Sequence, residues 1–115
     1  MITPEQIAEI THNAITSYCH IVAGTDSIFW DQLSIDLKGS TISGVNKVLE
    51  NPDISAEDLH NEWVKYKISQ GWTYGEIRDS SRKIHNCLVP YQDLPKEEKI
   101  KDLLFLAITN CFIDK

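Results

Sequence analysis

The stretch SAEDLHNEWVKYKISQGWTYGEIRD, residues 55–79, decides the fold. Ser55 is a good N-cap, and Glu57 and Asp58 in the first turn favour the positive end of a helix dipole. Leu59, Trp63 and Tyr66 recur at helical spacing and predict an inner face, and Gly71 predicts the stop. Trp72 to Pro90 reads as a long connection of aromatic and charged residues. Pro95 then predicts a last helix from Lys96 to about Ile113, with Ile100, Leu103, Leu104, Ile108 and Cys111 at helical spacing. Phe105, Leu106 and Phe112 widen that face, so this helix is expected to be the most buried.

Toward the N-terminus, Thr3, Pro4 and Gln6 form a capping-box start. Ile7, Ile10, Ala14, Tyr18 and Ile21 then predict one apolar stripe, ended by Gly24. Thr25 to Gly39 shows no period and holds Ile28, Phe29 and Trp30, which predicts an irregular, partly buried connection. A short helix is expected from about Ser43 to Glu50, with Val45, Val48 and Leu49 inward and Asn51-Pro52 as its end. A shift of 48 residues lays Ala8, Glu9, His12, Asn13 and Tyr18 on Ala56, Glu57, His60, Asn61 and Tyr66. Two related helical hairpins and coincidence between two capped amphipathic helices both explain that match.

A chain of 115 residues holds one core and not two, so a single mostly α domain is expected, with residues 1–54 as an N-terminal helical region. No stretch reads as a signal peptide or a membrane span, and Cys19, Cys87 and Cys111 follow no paired spacing. Reduced thiols in a cytoplasmic protein are expected. The net charge of −6 speaks against a nucleic-acid binder, but it is uneven. Residues 1–58 carry two basic side chains against nine acidic, and residues 59–115 nine against eight. Lys65, Lys67, Arg78, Arg82 and Lys83 make one local basic segment, enough for a small anion and too little for a duplex.

The order His60-x-x-Trp63-x-x-x-Lys67-x-x-x-Gly71-Trp72-x-Tyr74-Gly75-x-x-Arg78-Asp79, then Lys83-x-His85, Leu88-Val89-Pro90-Tyr91, Leu94, Glu98-Lys99 and Asp102, resembles the RyR (ryanodine-receptor-type) domain. That unit occurs in the large intracellular calcium-release channels and alone in bacteria and their phages. Asn86 departs from the pattern, where a proline commonly follows the histidine. The resemblance implies two antiparallel helices joined by a long loop with short extended pieces, in a regulatory rather than catalytic module. It also implies pairing of such units: either the N-terminal half supplies the partner, as the His12 and His60 match hints, or a second chain does. A homodimer is expected, because the first half lacks a GWxYG turn and its second helix is short. Phe105, Leu106 and Phe112 are the sequence's own suggestion for its patch.

Aromatic and basic residues together suit a purine ring and its phosphates. The expected ligand set is Lys67, Trp72, Tyr74, Arg78, Lys83, His85 and Tyr91. Some have a plainer reading. Lys67 suits a solvated face, Arg78-Asp79 a loop ion pair and His85 a satisfied loop histidine. Trp63, on the inner stripe, is expected in the core. No GxSxG, HExxH, Walker or GxGxxG pattern occurs, and the histidines and cysteines lack finger spacing. No catalytic residue, metal or cofactor is expected. The leading expectation is a module binding a nucleotide-like or ADP-ribose-like anion. A protein-interaction domain is the rival, and a hydrolase of such a nucleotide the least favoured.

Overall fold

A computed structural model describes residues 2–25 and 27–113. Four α-helices carry these residues: α1 (Pro4–Tyr18), α2 (Ile35–Glu50), α3 (Ala56–Ser69) and α4 (Lys96–Asn110). The mostly α class expected from the sequence is what the chain adopts. Local chemistry sets the helix starts. Thr3 Oγ1 accepts from the Gln6 backbone N–H at 3.1 Å, while Gln6 Oε1 accepts from the Thr3 N–H at 2.8 Å. Ser55 Oγ caps α3 through the Asp58 N–H at 3.0 Å.

The second helix begins eight residues before the expected start at Ser43. Ser34 is its N-cap, accepting from the Leu37 N–H at 3.2 Å. Gly39 and Gly44, which weaken a helical reading of the sequence, lie inside it where Tyr66 and Phe105 come close. The stretch before α2 is irregular, apart from one turn of 3-10 helix at Trp30–Gln32, and it buries Trp30.

Burial also rotates the first helix. Ile10 is 44% and Ile21 82% exposed, whereas Ile7, Ala8, Thr11, Thr16 and Cys19 are buried. The inner stripe therefore carries two threonines that a hydrophobicity reading passes over. The core gathers Ile7, Ala8, Trp30 and Val45, with Ile42, Leu49, Phe105 and Phe112 packed against them. Its centre lies on α1 and α2, not on α4. Leu103 is 54% exposed and Thr109 is the one fully buried residue of α4, so that helix is not the most buried. Phe105 and Phe112, two of the three residues expected to join two chains, are partly buried and pack against that core.

Between α3 and α4 the chain makes two short extended pieces, as expected. Strands β1 (Thr73–Tyr74) and β2 (Ile84–His85) pair in parallel, Thr73 opposite Ile84 and Tyr74 opposite His85. Asp79 and Ile84 exchange backbone hydrogen bonds at 2.9 Å across an antiparallel bridge, and Lys83 turns the chain through a left-handed φ of 57°. Any side chain at Gly75 would collide with Ile84 Cγ2, so the close approach of the two strands requires glycine there. Trp72 is buried, and its Nε1–H points at Asp36 Oδ2, 3.4 Å away, tying the connection to the first turn of α2. Among the described residues no helix is long and apolar enough to cross a membrane.

Candidate functional site

A cavity of about 210 Å³ opens between α2, α3, α4 and the connection that follows β1. Helix α3 supplies His60 and Trp63, and α4 supplies Glu98, Lys101, Asp102 and Phe105. The connection supplies Arg78, His85 and Cys87. Gly44 of α2 also lines the cavity, and a Cβ there would stand 3.0 Å from Phe105 Cζ.

The histidines are fixed by backbone partners. His60 is buried, and its Nε2 lies 2.8 Å from the Val89 carbonyl oxygen. A carbonyl only accepts, so Nε2 carries the proton, and in the neutral ring Nδ1 keeps a lone pair. That Nδ1 faces Asp102 Oδ2 at 3.9 Å, beyond hydrogen-bond reach. His85 has the same tautomer for the complementary reason: its Nδ1 accepts the Cys87 backbone N–H at 3.0 Å. Burial, with Arg78, Lys67 and Lys101 nearby, pushes His85 down to about 3, so it is neutral at neutral pH.

Asp102 is the unusual group. Its Oδ2 is buried with no hydrogen-bond partner among the described residues. Burial first, then the neighbouring Glu98, pushes its carboxyl up to about 7. Glu98 itself lies between two cations, 3.5 Å from Arg78 Nη2 and 2.9 Å from Lys101 Nζ. One carboxylate shared by two cations leaves positive charge in surplus on that wall. Cys87, 3.7 Å from Arg78 Nη2, is pushed up to about 11, chiefly by burial, and stays a thiol.

Of the residues expected to hold a ligand, Arg78 and His85 line the cavity. Lys67 and Trp72 do not; they lie against each other, with Nζ 4.3 Å from the Trp72 ring centre. Lys67 is 3% exposed, which corrects the solvated reading, and burial lowers it from its ordinary value. Tyr74 is 55% exposed and lines no part of the cavity. Lys83 donates to the Gln70 carbonyl at 2.7 Å, closing the end of α3 instead of facing the cavity. Tyr91 lies outside the lining, its ring 6.0 Å from that of His60 and under Lys99. Trp63, expected in the core, is half-buried and forms a wall, stacked on His60 at 5.5 Å and edge-on to His85 at 4.9 Å.

Sequence reasoning missed His60, Glu98, Lys101, Asp102 and Phe105 as site residues. A signal existed: Glu98, Lys101, Asp102 and Phe105 stand three and four apart, on one face of a helix. The chain matches the RyR domain over residues 34–108, from the N-cap of α2 to the last turns of α4. That span covers well over half of the 115 residues and contains nearly every residue of the cavity wall. The chain belongs to the RyR domain family.

Proposed function

We propose that this domain is a non-catalytic binding module for a nucleotide-like anion, including ADP-ribose-like molecules, and acts by sensing or sequestering it in the cytoplasm. The observation that carries the reading is the cavity between Trp63 and Phe105 with Arg78 and Lys101 on one wall. Its volume of about 210 Å³ falls below the roughly 300–1,000 Å³ that encloses a drug-sized ligand. One ring system fits, and the remainder of the ligand stays at the mouth. An aromatic wall offers stacking, and an arginine beside a lysine offers charge-assisted bonds to phosphate. Binding is favoured over catalysis because the two groups nearest a nucleophile–base pair are disabled. Cys87 is held as a thiol and His85 as a neutral ring whose Nδ1 is already occupied.

Titration with nucleotides, read by thermal shift and by Trp fluorescence, tests this. A ligand at 100 times its dissociation constant adds about 2.7 kcal/mol of stability. Release of the nucleotide intact after denaturation supports binding without turnover; recovery of a cleaved product supports the hydrolase. The rival protein-interaction reading is favoured by Ile35 and Ile77, which are 90% and 84% exposed. It gains if no nucleotide shifts the melting curve.

A further inference from the structure

We infer that Asp102 and His60 form a donor-selecting edge in the cavity, so that the ring which fills it presents an amino group and not a carbonyl. The inference rests on the reading that the cavity binds a ligand, and it names which ring edge that ligand carries. Its basis is an unmatched pair. Asp102 Oδ2 is buried and has no hydrogen-bond partner among the described residues, and His60 Nδ1 stands 3.9 Å from it. The bond from His60 Nε2 to the Val89 carbonyl leaves Nδ1 of the neutral ring as a second acceptor. Two acceptors facing each other across a gap too wide for a shared proton are complementary to an N–H donor placed between them.

The walls restrict what can bring that donor. Trp63, adjoining His60, and Phe105, one turn beyond Asp102, both face the cavity and favour a planar, aromatic group. Arg78 and Lys101, sharing Glu98, draw the anionic part of the same molecule to another portion of the lining. The chemical class is therefore an aminated heterocycle that carries a phosphate, with the aminopurine nucleotides as its simplest members. A ring with only carbonyl oxygens on that edge would set a third acceptor against two and be rejected.

Two matched pairs test this on the full chain by calorimetric titration at pH 8, where the Asp102 carboxyl is largely ionised: guanosine monophosphate against inosine monophosphate, and adenosine monophosphate against purine riboside monophosphate. Each pair differs by one ring amino group, and the phosphate is common to all four. In at least one pair the aminated member is expected to bind about tenfold or more tightly, the range of one charge-assisted hydrogen bond. That preference should fall below about threefold in Asp102→Asn, whereas Arg78→Ala should weaken both members alike. Should the asparagine variant fail to fold, the matched pairs on the unaltered chain decide alone. Equal affinities within both pairs would overturn the donor edge and leave the cavity reading standing. If no nucleotide binds, benzamidinium and benzoate separate the remaining cases. Benzamidinium bound in preference to benzoate keeps the donor edge without the nucleotide, and neither bound overturns both readings.

Discussion

Replacing Asp102 by asparagine should stabilise this protein, and by an amount that depends on pH. The carboxyl has an ordinary value of 3.8 and is raised to about 7 in the folded chain. A raised folded value means that protonation is favoured by folding. The carboxyl's contribution is thus fully present below 3.8 and is lost as pH climbs through 7. At full effect the difference corresponds to about 4 kcal/mol, and at pH 4 to about half a kcal/mol. The side chain is 27% exposed, so water at the cavity mouth reduces the full figure; about 2–4 kcal/mol is expected at pH 8. Asparagine mimics the protonated acid in size and charge, so the variant should match the parent at pH 4 and exceed it at pH 8. Buried, neutral His85 runs the other way, since its stability is present above 6.5 and is lost as pH falls toward about 3. It is common to both proteins and drops out of the difference. Urea unfolding at the two pH values measures the effect, with a midpoint gap of about 1 M or more at pH 8. Equal gaps at both pH values, or a variant less stable at pH 8, would refute the reasoning.

Thr109 is wholly buried and its hydroxyl has no partner among the described residues, so Thr109→Val should raise stability by about 1–2 kcal/mol in the same assay. Lys67→Met keeps a side chain of similar reach between Trp63 and Trp72 and removes a charge that burial disfavours. Its melting temperature should be equal to or above the parent's, and a loss beyond about 1 kcal/mol would show that the cation–π contacts outweigh desolvation. Arg78→Ala should weaken nucleotide binding about tenfold or more, whereas Lys83→Ala, outside the cavity, should leave the affinity within about twofold and loosen the end of α3. Light scattering at micromolar concentration should return a mass near 13.1 kDa if the packing of Phe105 and Phe112 against the core of one chain is their whole role. A doubled mass would shift attention to Ile35 and Ile77.

Features governed by neighbours in sequence were legible before any coordinates. The box of Thr3 and Gln6, the cap at Ser55 and the entry at Pro95 each involve residues within one turn, and all three mark helix starts. Features governed by distant residues were not. The rotation of α1 follows from the burial of Thr11 and Thr16, which hydropathy alone does not reveal. The true length of α2 was hidden by Gly39 and Gly44, whose reason for being there lies on α3 and α4. Arg78 and His85 were found because aromatic and basic residues cluster near them in the chain. Asp102 and His60 were quoted in the motif but not recognised as a pair, since 42 residues separate them and only the packing of α3 on α4 brings them to 3.9 Å. The 48-residue shift acquires one physical parallel: His12 Nε2 and His60 Nε2 each lie 2.8 Å from a carbonyl in the loop after their own helix, at Ile28 and Val89.

Gly44 has a consequence for how such cavities differ among chains of this architecture. A glycine in mid-helix costs about 1 kcal/mol relative to alanine. What stands against that cost is an empty position into which Phe105 leans, with its Cζ 3.0 Å from where a methyl group would be. The aromatic floor is thus set at its depth by an atom the chain lacks. Position 44 acts as a gauge: each carbon added there would press on the Phe105 ring and reduce the space that both residues line. The volume of this cavity can therefore be retuned at a single lining residue that forms no hydrogen bond through its side chain.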